Sequence, residues 1–239
     1  MTTQLVRDQC HSLGLKYQKV HQIAVQGNSA RSLVLRQRWA MAFLDLDFKN
    51  KNVINIDETW LGMSDFRKRH WRPHKSNYSV GAKQMQPRIS MITGVDKLGN
   101  VYLSLTQSNS NREMMTLFVE QLVLKLDKEN PYWRNNTVLC WDGASYHKSK
   151  DSLKMLERLN VPIMMSGPYS YEAAPCELYF AAFKSADINP RKVPLGKSHF
   201  DEVLRLVINR CQQIPKHNTI LNWHHCLLYT YRYLSFHQI

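Results

Sequence analysis

Val53-Ile54-Asn55-Ile56-Asp57 and Thr137-Val138-Leu139-Cys140-Trp141-Asp142 decide how this chain is read. Each is a short run of mainly apolar and β-branched residues that closes on an acid, the composition of a buried strand with a carboxylate at its tip. A carboxylate there is poorly solvated and needs a cation or a hydrogen-bond donor to offset its burial. A third acid, Glu177, stands just past Pro175, in the first turn of a predicted helix. Three convergent carboxylates are what a pair of hard divalent cations requires: oxygen ligands, with one carboxylate bridging both ions. Taken singly, each acid serves equally well as a loop or helix cap; taken together they read as a site.

Composition narrows the function classes. With 239 residues, 44% of them hydrophobic, the chain has enough apolar material for one substantial domain with a proper core. Wholesale disorder is thereby set aside. Lys and Arg total 32 against 19 Asp and Glu, a formal net charge of +13. Such a surplus suits a polyanionic partner, nucleic acid first and an anionic membrane second. Membrane insertion is set aside, because no apolar run approaches the ~20 residues of a spanning helix. Met1-Thr2-Thr3-Gln4 opens no signal peptide, and Asp8 is out of place in a mitochondrial presequence. The five cysteines (Cys10, Cys140, Cys176, Cys211 and Cys226) are scattered and form no Cys-x-x-Cys pair, as expected of reduced structural thiols in a cytosolic or nuclear protein. His70 with His74, and His224-His225-Cys226, lack the second ligand pair of a tetrahedral zinc site.

Residues 1–45 are predicted to be a helical N-terminal segment and residues 46–239 an α/β domain. Ser29 precedes Ala30 to Leu44, where Leu35, Trp39, Ala42 and Phe43 recur at helical spacing. From Val53 the order is strand, strand, strand, helix, strand, helix, strand, helix. The second and third strands, near 88–95 and 101–106, are joined by the turn signal Asp96-Lys97-Leu98-Gly99-Asn100. Ser110-Asn111-Arg112-Glu113 reads as a capping box for a helix to about Lys128, with Met115, Phe118, Leu122 and Leu126 on one face. The fourth strand delivers Asp142, a helix near Ser149 to Leu159 leads to a short strand over Pro162 to Ser166, and a loop leads to Glu177. Ser198 is predicted to cap a helix that turns Phe200, Val203, Leu204, Val207, Ile208 and Cys211 inward, and a last helix spans roughly Thr219 to Leu234. Such an order gives a mixed sheet covered by helices. No internal repeat, low-complexity tract or long linker interrupts it.

Three local blocks stand at the acids: Ile56-Asp57-Glu58-Thr59, Trp141-Asp142-Gly143-Ala144-Ser145-Tyr146-His147, and Pro168-Tyr169-Ser170-Tyr171-Glu172-Ala173-Ala174-Pro175-Cys176-Glu177. They resemble, in order and spacing, the three catalytic blocks of the Tc1/mariner–IS630 group of DDE transposases. The resemblance covers roughly residues 30 to 235, and the 34 residues between Asp142 and Glu177 match the spacing of Tc1-like members. Gly143 stands where Asn is usual in that group, Tyr171 where Pro is usual, and Ala174 where Asn precedes the Pro. Phe180 replaces a Trp, and Lys184 keeps the Lys seven positions after the Glu. None of these departures removes a carboxylate.

The resemblance implies the ribonuclease H-like α/β fold, a mixed five-stranded sheet flanked by helices. In that topology strands one and four are parallel neighbours, so Asp57 and Asp142 emerge at one sheet edge, where open sheets place their sites. It implies metal-dependent DNA phosphodiester cleavage and strand transfer with two Mg²⁺ ions, Mn²⁺ substituting, Asp57 bridging both and Asp142 and Glu177 holding one each. Double-stranded DNA, as transposon ends and as target, would be the partner, and the assembly a homodimer, nuclear in a eukaryote and cytoplasmic in a bacterium. Residues 1–45 would be the remnant of a DNA-binding and linker region, with Leu5 to Leu15 the tail of an upstream helix-turn-helix. Glu58 adjoins Asp57 but points to the opposite face of its strand, and is not counted as a ligand.

DNA contacts are expected from Arg67, Lys68, Arg69 and Trp71, where charge and a stacking ring combine in one loop; the alternative is a solvated loop. His147, five residues after Asp142, either meets the scissile phosphate and shuttles a proton or is a loop histidine bonded to backbone. Lys184, two helical turns beyond Glu177 on the same face, either meets a phosphate or is a solvated helix lysine. Two other functions compete with transposition: a domesticated or truncated copy that binds DNA without catalysis, and an RNA-cleaving hydrolase of the same fold. The intact acids favour the transposase, the altered third block favours the silent copy, and the three blocks argue against the RNA hydrolase.

Overall fold

The computed structural model of the chain describes residues 2–15, 25–66, 89–107, 111–143, 149–190, 194 and 199–234. In chain order its helices and strands are α1 (Thr3–Ser12), α2 (Ala30–Phe48), β1 (Asn52–Leu61), α3 (Met63–Phe66), β2 (Ile89–Asp96), β3 (Val101–Thr106), α4 (Arg112–Glu129), β4 (Thr137–Trp141), α5 (Lys150–Arg158), β5 (Ile163–Met165), α6 (Pro175–Lys184), α7 (Phe200–Gln212) and α8 (Lys216–Arg232). The strands form one sheet in the order β3-β2-β1-β4-β5. β1 is antiparallel to β2 and parallel to β4, and β4 is parallel to β5. The predicted mixed five-stranded sheet flanked by helices is therefore the observed architecture.

Alternation along β1 sorts its side chains between two helical layers. Ile54 and Ile56, with Leu139 and Trp141 of β4, bury against Met115, Phe118, Val119, Leu122 and Val123 of α4 and Met155 and Leu156 of α5. On the other face Leu61, Met91 and Val95 bury against Cys176, Tyr179, Phe180 and Phe183 of α6 and Val203 and Val207 of α7. A third cluster joins α2 to α8 and the sheet through Trp39, Ala40, Phe43, Val53, Cys140 and Trp223.

Several boundaries differ from expectation, each for a local reason. β1 continues four residues past Asp57, because β2 pairs with it as far as Leu61↔Ile89 although acids break the apolar run. Asp57 therefore sits inside a strand rather than at its tip. α4 is capped by Asn111, whose side chain accepts the Met114 amide at 2.9 Å, one residue later than the expected capping box. Ser110 and Ser198 lie outside the described residues. α2 buries Ala40 in place of Ala42 and leaves Leu35 41% exposed, since its inward stripe follows Trp39 and Phe43 onto α8. It also runs to Phe48, across the boundary expected at residue 45. In α7, Ile208 is exposed, and α8 begins at Lys216, directly after Pro215. The turn between β2 and β3 is as expected: Asp96 Oδ1 accepts the amides of Leu98 and Asn100 at 2.9 and 2.8 Å.

Candidate active site

Two acids meet at the line between β1 and β4. The parallel ladder runs from Asn52↔Thr137 to Ile56↔Trp141 and ends there, so Asp57 and Asp142 are the next residues on adjacent strands, side by side where β4 leaves the sheet. Strand alternation puts both on the α6 face, with Asn55 and Cys140 two residues before them. Glu177 comes from above. Pro175 occupies the first position of α6, its fixed φ suiting a helix start, and Glu177 follows in the first turn.

The loop that delivers Glu177 is held by α2. Gly167 lies so close that a Cβ there would stand 2.9 Å from the Arg36 Cα, a gap that admits glycine alone. The Arg36 guanidinium donates to the Pro168 carbonyl at 3.2 Å and also bonds the Gly27 carbonyl. Tyr169 takes a left-handed backbone, φ 57°, and Ser170 Oγ donates to the Gly167 carbonyl at 2.6 Å. The altered residues of the third block, Tyr171 and Ala174, form a short 3-10 turn in which the Ala174 amide donates to the Tyr171 carbonyl, so the approach to α6 is formed without the usual Pro and Asn.

α6 is fastened to the sheet at both ends. At its start the Cys176 amide donates to Asn55 Oδ1 at 3.0 Å, and the Cys176 thiol donates to the carbonyls of Asn55 and Thr93 at 3.0 and 3.3 Å. Burial, then the charges of Asp57 and Glu177, hold that thiol well above its ordinary pKa, so it stays a proton donor. At the other end Lys184 Nζ donates to Thr59 Oγ1 at 2.8 Å and to the Trp60 carbonyl at 3.0 Å. Arg210 of α7 closes the last turn through the Phe183 and Ala182 carbonyls at 2.9 and 2.5 Å.

The electrostatics single out Asp57. Burial first, then the Glu177 charge, and more weakly Glu58 and Asp142, push its pKa from 3.8 to about 8, while the Glu58 amide at 2.8 Å pulls the other way. Glu177 is raised as well by desolvation, offset by Lys184. Burial and the neighbouring acids favour the protonated form of Asp57, so a divalent cation binding there would displace that proton and offset the clustered charge. The donor set consists of carboxylate oxygens, which fits hard divalent ions such as Mg²⁺. Among the described residues no three His, Cys, Asp or Glu side chains are drawn closely enough together to hold a metal.

Of the residues expected from sequence, Asp57, Asp142, Glu177 and Lys184 gather at this edge. Lys184, half-buried, latches α6 to β1 and lies in the field of Glu177. Arg67, Lys68, Arg69, Trp71 and His147 lie outside the described residues. Sequence reasoning missed Asn55 and Cys176, although an Asn inside an apolar strand was itself a signal.

The family described as DDE superfamily endonuclease matches residues 52–197, from the first residue of β1 through the three acids. The chain belongs to that family. No curated protein matches its sequence significantly. Among solved structures, the endonuclease is similar in fold to the pre-cleavage Mos1 transpososome (TM-score 0.71, 15% identity, 97% of this chain and 69% of that one) and to the Mos1 transposase paired-end complex with left transposon end (TM-score 0.70, 17% identity, the same coverage). The crystal structure of the catalytic domain of Mos1 mariner transposase matches at a TM-score of 0.64 with 14% identity, covering 91% of this chain and 96% of that one. The ribonuclease H-like fold expected from the sequence blocks is thus the fold of this endonuclease.

Proposed function

We propose that this endonuclease is the catalytic part of a Tc1/mariner–IS630 type transposase, which cleaves double-stranded DNA at transposon ends and joins the freed 3′-hydroxyl to target DNA. The observation that carries this reading is the family match over residues 52–197 together with the placement of Asp57 and Asp142 side by side at the end of the β1–β4 ladder, with Glu177 in the field of Asp57.

Asp57, with Asp142 beside it at the end of the β1–β4 ladder and Glu177 in its field, would hold the divalent ions together with those two acids. Bound there, Mg²⁺ or Mn²⁺ supplies an activated water or 3′-hydroxyl on one side and a stabilised leaving oxygen on the other. The chain's own part is to present three carboxylates from neighbouring elements: Asp57 within β1, Asp142 directly after β4, and Glu177 on a helix fastened at both ends. The +13 surplus supports a DNA partner, with Arg67, Lys68, Arg69 and Trp71 as contacts to its backbone. His147 would meet the scissile phosphate and shuttle a proton, and Lys184 would add a charge beside Glu177. A homodimer, and residence in the nucleus of a eukaryote or the cytoplasm of a bacterium, complete the proposal. The competing reading, a copy that binds DNA without cutting it, rests on the altered third block; the formed 3-10 turn and helix start at Tyr171 to Glu177 speak against it.

A labelled duplex carrying a transposon end is expected to be nicked in Mg²⁺ or Mn²⁺ and only bound in Ca²⁺. Ca²⁺ accepts longer, looser coordination that does not align an in-line attack. Equal cleavage in EDTA would refute the metal mechanism.

A further inference from the structure

Asn55 is a polar residue in the middle of an apolar strand, and it is only 5% exposed. Its side chain ties three elements together. Oδ1 accepts the Cys176 amide of α6 at 3.0 Å and Nδ2 donates to the Cys140 carbonyl of β4 at 3.4 Å. Its own carbonyl, on β1, accepts the Cys176 thiol at 3.0 Å. Each element it joins carries or leads into one of the acids, and the joined residue precedes that acid by one or two positions: Asn55 before Asp57, Cys140 before Asp142, Cys176 before Glu177. A well-packed apolar residue would serve a core strand at lower desolvation cost, but it would leave the Cys176 amide, one of the orphan donors of a helix start, without this acceptor.

We propose that Asn55 is a positioning residue: it sets the distances and angles among Asp57, Asp142 and Glu177, and through them the affinity for divalent ions, without touching metal or DNA. This rests on the function proposed above. The far end of α6 is already fixed by Lys184 and Arg210, so what Asn55 adds is the placement of the first turn along β1 and β4. Glu177 stands about 10 Å along the helix from Lys184, at roughly 1.5 Å per residue, so a small swing about the far anchor becomes a displacement at the carboxylate. Metal–ligand distances tolerate only about 0.2 Å.

Two variants and a control test this on the full chain. Asn55→Thr keeps a strand-forming residue with a hydroxyl too short to reach both partners; Asn55→Ala removes the staple outright. Val123→Ala, in the core on the opposite face of the sheet, destabilises without touching it. Mn²⁺ affinity by calorimetry, DNA affinity without metal, kcat at saturating DNA, and thermal midpoint are measured on each. Both Asn55 variants are expected to lose Mn²⁺ affinity by about ten- to a hundredfold, the scale for residues that orient metal ligands. Their kcat falls with it, while their DNA affinity stays unchanged, and Mg²⁺ suffers more than Ca²⁺ because its octahedron is stricter. Val123→Ala loses thermal stability and keeps its Mn²⁺ affinity. Asn55→Thr binding Mn²⁺ like the parent, or Val123→Ala losing as much, overturns the positioning role and leaves the parent's metal-dependent cleavage standing. A parent that takes up no Mn²⁺ overturns the functional reading and this inference with it.

Discussion

Asp57→Asn is expected to abolish cleavage and, in the absence of metal, to make the protein more stable. Loss of activity should exceed about a hundredfold, the scale of removing one charge-stabilising group at a reacting centre. The stability gain follows from the raised carboxyl. The unfolded chain releases the proton near 3.8, whereas the folded chain holds it to about 8. Below 3.8 both states carry the proton and Asp57 costs nothing. Between 3.8 and about 8 the unfolded state alone is ionised, so stability falls as pH rises, and the full penalty stands above 8. Asn carries no charge and escapes it. The difference in Tm between variant and parent should therefore be small near the unfolded pKa and grow until the folded pKa is passed. At that point a gain of at least about 2 kcal/mol corresponds to roughly 4–8 °C for a chain of this size. Mg²⁺ or Mn²⁺ should stabilise the parent and not the variant. A difference in Tm that is flat with pH would mean that neither burial nor its neighbouring acids hold the proton on Asp57.

The second large effect separates cutting from binding. Asp142→Asn keeps size and hydrogen bonding while removing one ligand charge, so cleavage should vanish and DNA affinity stay level or rise slightly, a negative charge facing phosphate having gone. Changing Arg67, Lys68 and Arg69 together to Ala should instead weaken binding to every sequence. The slope of log affinity against log salt should flatten by up to about 2.7, at roughly 0.9 for each phosphate left without its cation. Both are read on one labelled duplex across a salt series. An Asp142→Asn protein that cuts as well as the parent makes Asp142 a structural acid and favours the non-catalytic reading.

The sheet was legible because strands announce themselves by apolar and β-branched runs, and all five stand where those runs lie. Asp57 and Asp142 were legible because each interrupts or closes such a run, and Glu177 because it follows Pro175 in a helix start; the burial expected of a strand-tip acid holds for Asp57, whereas Asp142, just past β4, is exposed. What sequence could not give was partnership. β1 reads as ending at Asp57, since the acids at 57 and 58 break its apolar run, yet pairing with β2 extends it to Leu61. Lys184 reads as a surface lysine until Thr59 and Trp60, far earlier in the chain, fold beneath it. Asn55 reads as a blemish in an apolar strand; only the meeting of β4 and α6 around it supplies its bonds. The inward stripe of α2 shifts from Ala42 to Ala40 because α8, which no local pattern ties to it, decides which face is covered.

Whether Asp57, Asp142 and Glu177 act on one metal centre is tested most directly by an anomalous difference map at the manganese edge, from crystals of the protein grown with Mn²⁺. Peaks are expected between the three carboxylates, with Asp57 in contact with every ion bound there and metal–oxygen distances of about 2 Å. Manganese bound elsewhere, with the Asp57 carboxyl free of it, would contradict a shared centre.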